Sequence, residues 1–225
     1  MSSHRTIRLF AALSLAGASI LASAGGAAAV TPAEPVPGEG LETEIGVAQS
    51  ATDAYWAAHW NEYFAGTYTS PNVVGLYDGL NPASAPVCGG VPLGPGNAYY
   101  CPEGDYLAWD IGLMANGYQS GDAWPYLVVA HEWGHAVQAR LDPSLVAPAS
   151  ELQADCFAGA SLYGAAADGT LVFEEGDQQE LVSALGVLAD QTPWTKSGDH
   201  GNAGERVAAF SNGGQGGAGA CLPAR

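Results

Sequence analysis

The residues best equipped for chemistry lie in the run VVAHEWGHAVQAR, Val128 to Arg140, where His131, Glu132 and His135 follow a His-Glu-x-x-His spacing. Four residues apart on an α-helix, two imidazoles differ by about 40° around the axis and one turn along it, so both reach a single ion from one face. Zinc is the ion this donor pair predicts. Glu132 is rotated about 100° from His131, which keeps its carboxylate off the metal but lets it act as general base on a water bound there. A catalytic zinc takes three protein ligands and leaves one position open. The next acidic cluster, Glu151-Leu-Gln-Ala-Asp155, also has helical spacing. Glu151 is the expected third ligand. Asp155, on the same helical face, is the expected acceptor for the outer N–H of a ligand histidine, an arrangement that fixes the tautomer.

Both sets of residues need helices to present them. Pro125 suits the first turn of the histidine helix, where a missing N–H is tolerated, and Asp142 before Pro143 ends it near Leu141. The fifteen residues between His135 and Glu151 are enough for the chain to turn back, and the second helix is expected from about Ser150 to Ala166. Upstream, Asp53 to Phe64 carries aromatic residues close to an i, i+4 pattern and predicts a helix, and Val73 to Tyr77 reads as a short strand. Asn81 to Asn97, rich in proline and glycine, predicts an irregular loop; Ala98 to Trp109 predicts a hairpin or kinked strand pair. Gln178 to Ala189 and Glu205 to Phe210 predict two further helices, and the glycine-rich Ser211 to Ala220 is expected to be disordered.

HEWGHAVQ followed by ELQADCFAG, with NAYYCPEGDYLAWD before them and DHGNAGERVAAF after, is similar to the neutral zinc metallopeptidase family over roughly Asp53 to Cys221. These are gluzincin-type proteins, with two histidines and a glutamate on zinc. The resemblance implies an α+β, zincin-like fold, in which the active-site helix and the glutamate-ligand helix lie beside a small antiparallel sheet, with a helix-rich C-terminal half. It implies an edge strand antiparallel to bound substrate, here Asn97, Ala98, Tyr99 and Tyr100. It also implies that His200, in the Asp-His-Gly run, reaches the cleft and stabilises the oxyanion of a tetrahedral intermediate. The chain departs from the family where Asn202 follows Gly201 in place of serine or threonine, and where Ala136 follows the second histidine. The function expected is peptide-bond hydrolysis by a secreted zinc enzyme. A secreted zinc-binding protein without proteolytic activity and a zinc hydrolase of a non-peptide bond are the alternatives.

Arg5 and Arg8 precede an apolar run from Leu9 to about Leu21 that leads to Ala27-Ala28-Ala29, the pattern of a secretory signal peptide over residues 1–29. That run is shorter than the roughly 20 apolar residues of a membrane span, so no stable insertion is expected after cleavage. Residues 30–50, rich in Pro, Gly and Glu, read as a flexible leader, and residues 51–225 as the catalytic domain. The formal charge is −17, and residues 1–29 hold two arginines and no acids, so the processed chain is more acidic still. Such a surface repels phosphate backbones, so no nucleic-acid partner is expected; a peptide or protein substrate is what the family resemblance implies. Four cysteines in an exported chain predict two disulfides. Of the three pairings, Cys88 with Cys101 and Cys156 with Cys221 are favoured: the first closes a short loop, and the second ties the tail to the helix of Glu151 and Asp155.

Overall fold

The computed structural model describes residues 39–224; the expected signal peptide and the first part of the leader lie outside them. The first described element is a long helix, α1 (Glu39–Tyr63), so residues 39–50 are not a flexible leader. Proline and glycine dominate only up to residue 40, after which Leu41, Ile45, Ala48 and Thr52 recur at helical spacing and are buried, while Glu42 faces solvent. Trp56, Trp60 and Phe64 continue that stripe, and Trp56 meets Phe157 edge-on with ring centroids 5.6 Å apart.

Five short strands follow: β1 (Asn72–Tyr77), the two-stranded hairpin β2 (Val87–Cys88) and β3 (Val91–Pro92), then β4 (Ala98–Cys101) and β5 (Tyr106–Asp110). The main sheet has the order β1-β5-β4; β4 and β5 are antiparallel, but β1 runs parallel to β5. The small antiparallel sheet expected from the sequence is therefore a mixed one. The long loop after β1 carries the chain to the outer strand first, and the most apolar segment, β5 with Leu107, Ala108 and Trp109 fully buried, takes the centre. Cys88 and Cys101 are bridged, which fastens the loop hairpin to the end of β4.

The remainder is helical: α2 (Ile111–Tyr118), α3 (Trp124–Gln138), α4 (Ser150–Ala167), α5 (Asp177–Val187) and α6 (Ala203–Gly216), which with α1 makes six helices among the described residues of an α+β domain. Asp110 at the end of β5 caps α2, accepting from the backbone N–H groups of Leu113, Gly79 and Gly96. Burial works against its charge, but these N–H bonds hold its carboxyl below the usual range. The cap also ties the loop after β1 and the loop before β4 to the start of α2.

α4 lies at the centre of this layer, with Ala154, Phe157, Ala158, Ser161, Leu162 and Ala165 all fully buried. α3 crosses it at Gly134, where a Cβ would stand 2.8 Å from the Ala154 carbonyl oxygen. α6 lies against it as closely, for a Cβ at Gly213 would meet the Cys156 carbonyl oxygen at 1.8 Å. The glycine-rich segment expected to be disordered is instead helical to Gly216 and continues as a 3-10 turn over Ala218–Cys221. Its glycines allow close helix approach, and the Cys156–Cys221 disulfide fixes its end. No described helix is long and apolar enough to cross a membrane.

Candidate metal centre

Gly134 sits between the two histidines of α3, and Ala154 sits between Glu151 and Asp155 of α4. The closest approach of the two helices therefore falls at the level of the expected ligands. There, one carboxylate oxygen of Glu151 lies 3.2 Å from His131 Nε2 and 3.2 Å from His135 Nε2. Ligand atoms bound at about 2.0–2.1 Å in tetrahedral geometry are separated by about 3.3 Å. The three side chains offer ligand atoms that all lie within 4.8 Å of one another, close enough to hold one metal ion.

The outer ring nitrogens show why a cation suits this place. His131 Nδ1 lies 2.8 Å from Asp155 Oδ1, and His135 Nδ1 lies 2.9 Å from Gln138 Oε1. The Gln138 amide is oriented by its other end, since its Nε2 donates to the Ser150 carbonyl at 2.7 Å and to Gln153 Oε1 at 3.1 Å. Its oxygen must then face His135, and both imidazoles carry their neutral-state proton on Nδ1. Each Nε2 turns a lone pair toward the same anionic oxygen, an arrangement that needs either protons or a metal cation between the groups.

Without an ion, protons fill that role, and the titration behaviour follows. Burial pushes the His131 imidazolium down, but the charge and hydrogen bond of Asp155, then Glu151, outweigh it and raise the pKa to about 10. His135 is raised too, the Glu151 bond overcoming burial and the neighbouring His131. Burial presses the Glu151 carboxyl upward, but its two imidazole partners hold it far below the ordinary range. Metal binding must displace these protons.

Asp155 is fully buried and cannot stand alone as an anion. Arg206 of α6 pairs with it through two bonds, Nε to Oδ2 at 2.8 Å and Nη2 to Oδ1 at 2.7 Å, and its Nη1 donates to the Leu188 carbonyl at 2.7 Å. Burial works against the Asp155 charge, and Arg206 with His131 lowers its pKa regardless. Sequence reasoning missed Arg206, Gln138 and Gln153. The signal for Arg206 was available, because a buried aspartate requires a cation and the whole chain has only 6 lysines and arginines. Nothing local marked the glutamines, whose roles depend on where α3 and α4 cross.

Glu132 is buried beneath a cleft of about 480 Å³ that Asn97, Ala98, Tyr99, Tyr100 and His200 also line, together with the His131, His135 and Glu151 side chains. That volume is typical of ligand sites. His200 Nε2 stands 3.7 Å from Glu151 Oε2, and the His200 backbone N–H donates to Asp190 Oδ2 at 2.7 Å. The ring is 44% exposed and borders the open side of the cleft. Asn202, next after Gly201, caps α6: its side chain accepts from Glu205 N at 3.0 Å, while the Glu205 carboxylate accepts from Asn202 N.

β4 is the outer strand of its sheet on the cleft side. Asp110 N donates to the Asn97 carbonyl, so Asn97 and Asp110 form a bonded pair, and the register places Tyr99 and Cys101 in the next ones. Ala98 and Tyr100 therefore turn their backbone N–H and C=O groups outward, away from β5. No family model, no curated protein and no solved structure matches the chain.

Proposed function

We propose that this protein is a zinc peptidase of the zincin type, exported through its N-terminal signal segment, that hydrolyses peptide bonds outside the cell. The observation that carries this reading is the convergence of two imidazoles and a carboxylate from two helices at tetrahedral-edge spacing, with Glu132 and an outward-facing strand edge in the same cleft. The sequence resemblance to the neutral zinc metallopeptidases supports the same class. Zinc rather than calcium or magnesium suits a site with two nitrogen donors and one carboxylate oxygen. The two disulfides suit an oxidising compartment.

In this reading an extended substrate segment pairs with the Ala98 and Tyr100 backbone groups, as an added strand. His131, His135 and Glu151 would hold the zinc ion, which when bound would supply Lewis acidity to the scissile carbonyl and the attacking water. Glu132 takes the proton from that water and passes it to the leaving amine. His200 donates a hydrogen bond to the oxygen on which charge develops. Asp155, held by Arg206, and Gln138 keep the two ligand rings in the tautomer that presents Nε2.

The test is metal analysis paired with casein hydrolysis for the wild type and Glu132→Gln. The expected outcome is zinc retained at one ion per chain in both, with turnover reduced about 10²–10⁴-fold in the variant. Turnover surviving in Glu132→Gln removes the mechanism. Wild-type activity confined to ester substrates reassigns the protein to non-peptide hydrolysis.

A further inference from the structure

Among the described residues, Asp105 is the one non-glycine residue with a positive φ, 44°, in the turn joining β4 to β5. Glycine adopts this conformation without strain and aspartate at a modest cost, which the contacts of this aspartate offset. Three connections do this. Arg140 Nη2 lies 2.7 Å from each carboxylate oxygen, and the Tyr100 hydroxyl donates to Oδ1 at 2.9 Å. The Asp105 carbonyl accepts from the Asn72 backbone at 2.8 Å and from its side-chain amide at 3.2 Å.

Arg140 is itself tightly seated just past the end of α3. Its Nε donates to the Thr69 carbonyl and its Nη1 to the Ala136 carbonyl, both at 2.7 Å. One carboxylate thus joins the C-terminal end of the histidine helix to the side chain of Tyr100, a residue of the strand across the cleft. The Asp105 side chain is 43% exposed, and an ion pair so open to solvent adds little stability. What it fixes is position.

We propose that Asp105 is a positioning residue for the substrate strand, setting the separation between the outer edge of β4 and the helix that carries His131 and His135. The assignment rests on the peptidase reading of the cleft. Glu132 and the ligands do not touch Asp105, so its loss alters how substrate is held more than how it reacts.

The test uses the zinc-loaded full chain with casein as substrate, comparing wild type, Asp105→Gly and Asp105→Asn. Glycine removes the carboxylate while relieving the backbone; asparagine keeps the turn and one acceptor for Tyr100. KM is expected to rise about tenfold in Asp105→Gly and less in Asp105→Asn, with kcat and zinc affinity within about twofold of wild type. Arg140→Lys, which keeps the charge without the fork, should raise KM about threefold. An unchanged KM in Asp105→Gly overturns the proposal, as does a joint fall in kcat and zinc affinity, which would place the effect on the metal helix. Should wild type fail to cleave casein, the peptidase reading fails by itself. Amide hydrogen exchange at Tyr99 and Cys101 then decides the role of Asp105: about tenfold faster exchange in Asp105→Gly supports it, and unaltered exchange sinks it.

Discussion

The two histidines of the candidate metal centre are one helical turn apart, yet different regions of the molecule stand behind them. His131 is backed by charge: Asp155 of α4 and Arg206 of α6 form a buried ionic pair whose carboxylate accepts its Nδ1–H. His135 is backed by neutral amides: Gln138 accepts its Nδ1–H and donates to Gln153, whose Nε2 donates to the Leu145 and Cys221 carbonyls. The first backing ends in a helix, and the second ends at the disulfide that pins the tail. Both orient a ring. A charged backing also makes its histidine more basic, but it must be complete, since a buried carboxylate without its cation is strongly unfavourable. A neutral relay makes smaller contributions that are lost piecemeal.

Removing each backing separates these two behaviours. The largest effect is expected from Arg206→Met, which leaves Asp155 buried and uncompensated and the Leu188 carbonyl without its donor. A loss of about 3–5 kcal/mol in unfolding free energy is expected, read from urea titration of the metal-loaded protein. If Arg206→Met were as stable as wild type, the ionic backing would be dispensable and the contrast with His135 would disappear.

A smaller effect is expected from Gln138→Leu. It deprives His135 of its acceptor and Gln153 of one donor, but leaves no buried charge. Zinc affinity should fall about 10–100-fold, measured by competition with a chromogenic chelator, while the fold survives. Equal losses of stability in the Arg206 and Gln138 variants would refute the distinction between ionic and neutral backing.

The pH dependence of the metal-free chain should be the gentlest, below about 1.4 kcal/mol per pH unit for each proton. The folded-state pKa of His131, about 10, lies above its ordinary value of 6.5. The stability it contributes is full below pH 6.5 and is lost as pH rises through 10. Glu151 and Asp155 are depressed, so their contributions are present above the ordinary carboxylate range and are lost as pH falls below it. Melting curves with chelator should therefore decline from pH 7 toward 10. Zinc should flatten that decline, because the His131 proton, held up to about pH 10 in the metal-free chain, must leave when the ion binds near neutral pH. Identical curves with and without zinc would show that His131 does not exchange its proton for the metal.

Much of the site was legible from spacing, because helical periodicity is local. His131 and His135 share a face wherever their helix lies, and Glu151 and Asp155 do the same. The disulfide pairing was legible too, from which cysteines close a short loop and which leads back to the ligand helix. Composition misled in two places. Proline, glycine and glutamate before Ser50 suggested a flexible leader, yet Leu41, Ile45 and Ala48 carry the stripe that seats the first half of α1. The glycines after Ser211 suggested disorder, although they are what lets α6 lie against α4. A small residue serves a loop or a tight helix contact equally well, and only the partner surface distinguishes them.

By itself, then, the sequence determined which atoms could bind a metal and which carboxylate stands beside them, since those follow from a fixed rise and twist per residue. Tertiary structure decided that the two helices meet where Gly134 faces Ala154, that Arg206 arrives to neutralise Asp155, and that the outer edge of β4 faces the cleft. Each of these depends on contacts between segments far apart in the chain, which no local periodicity encodes.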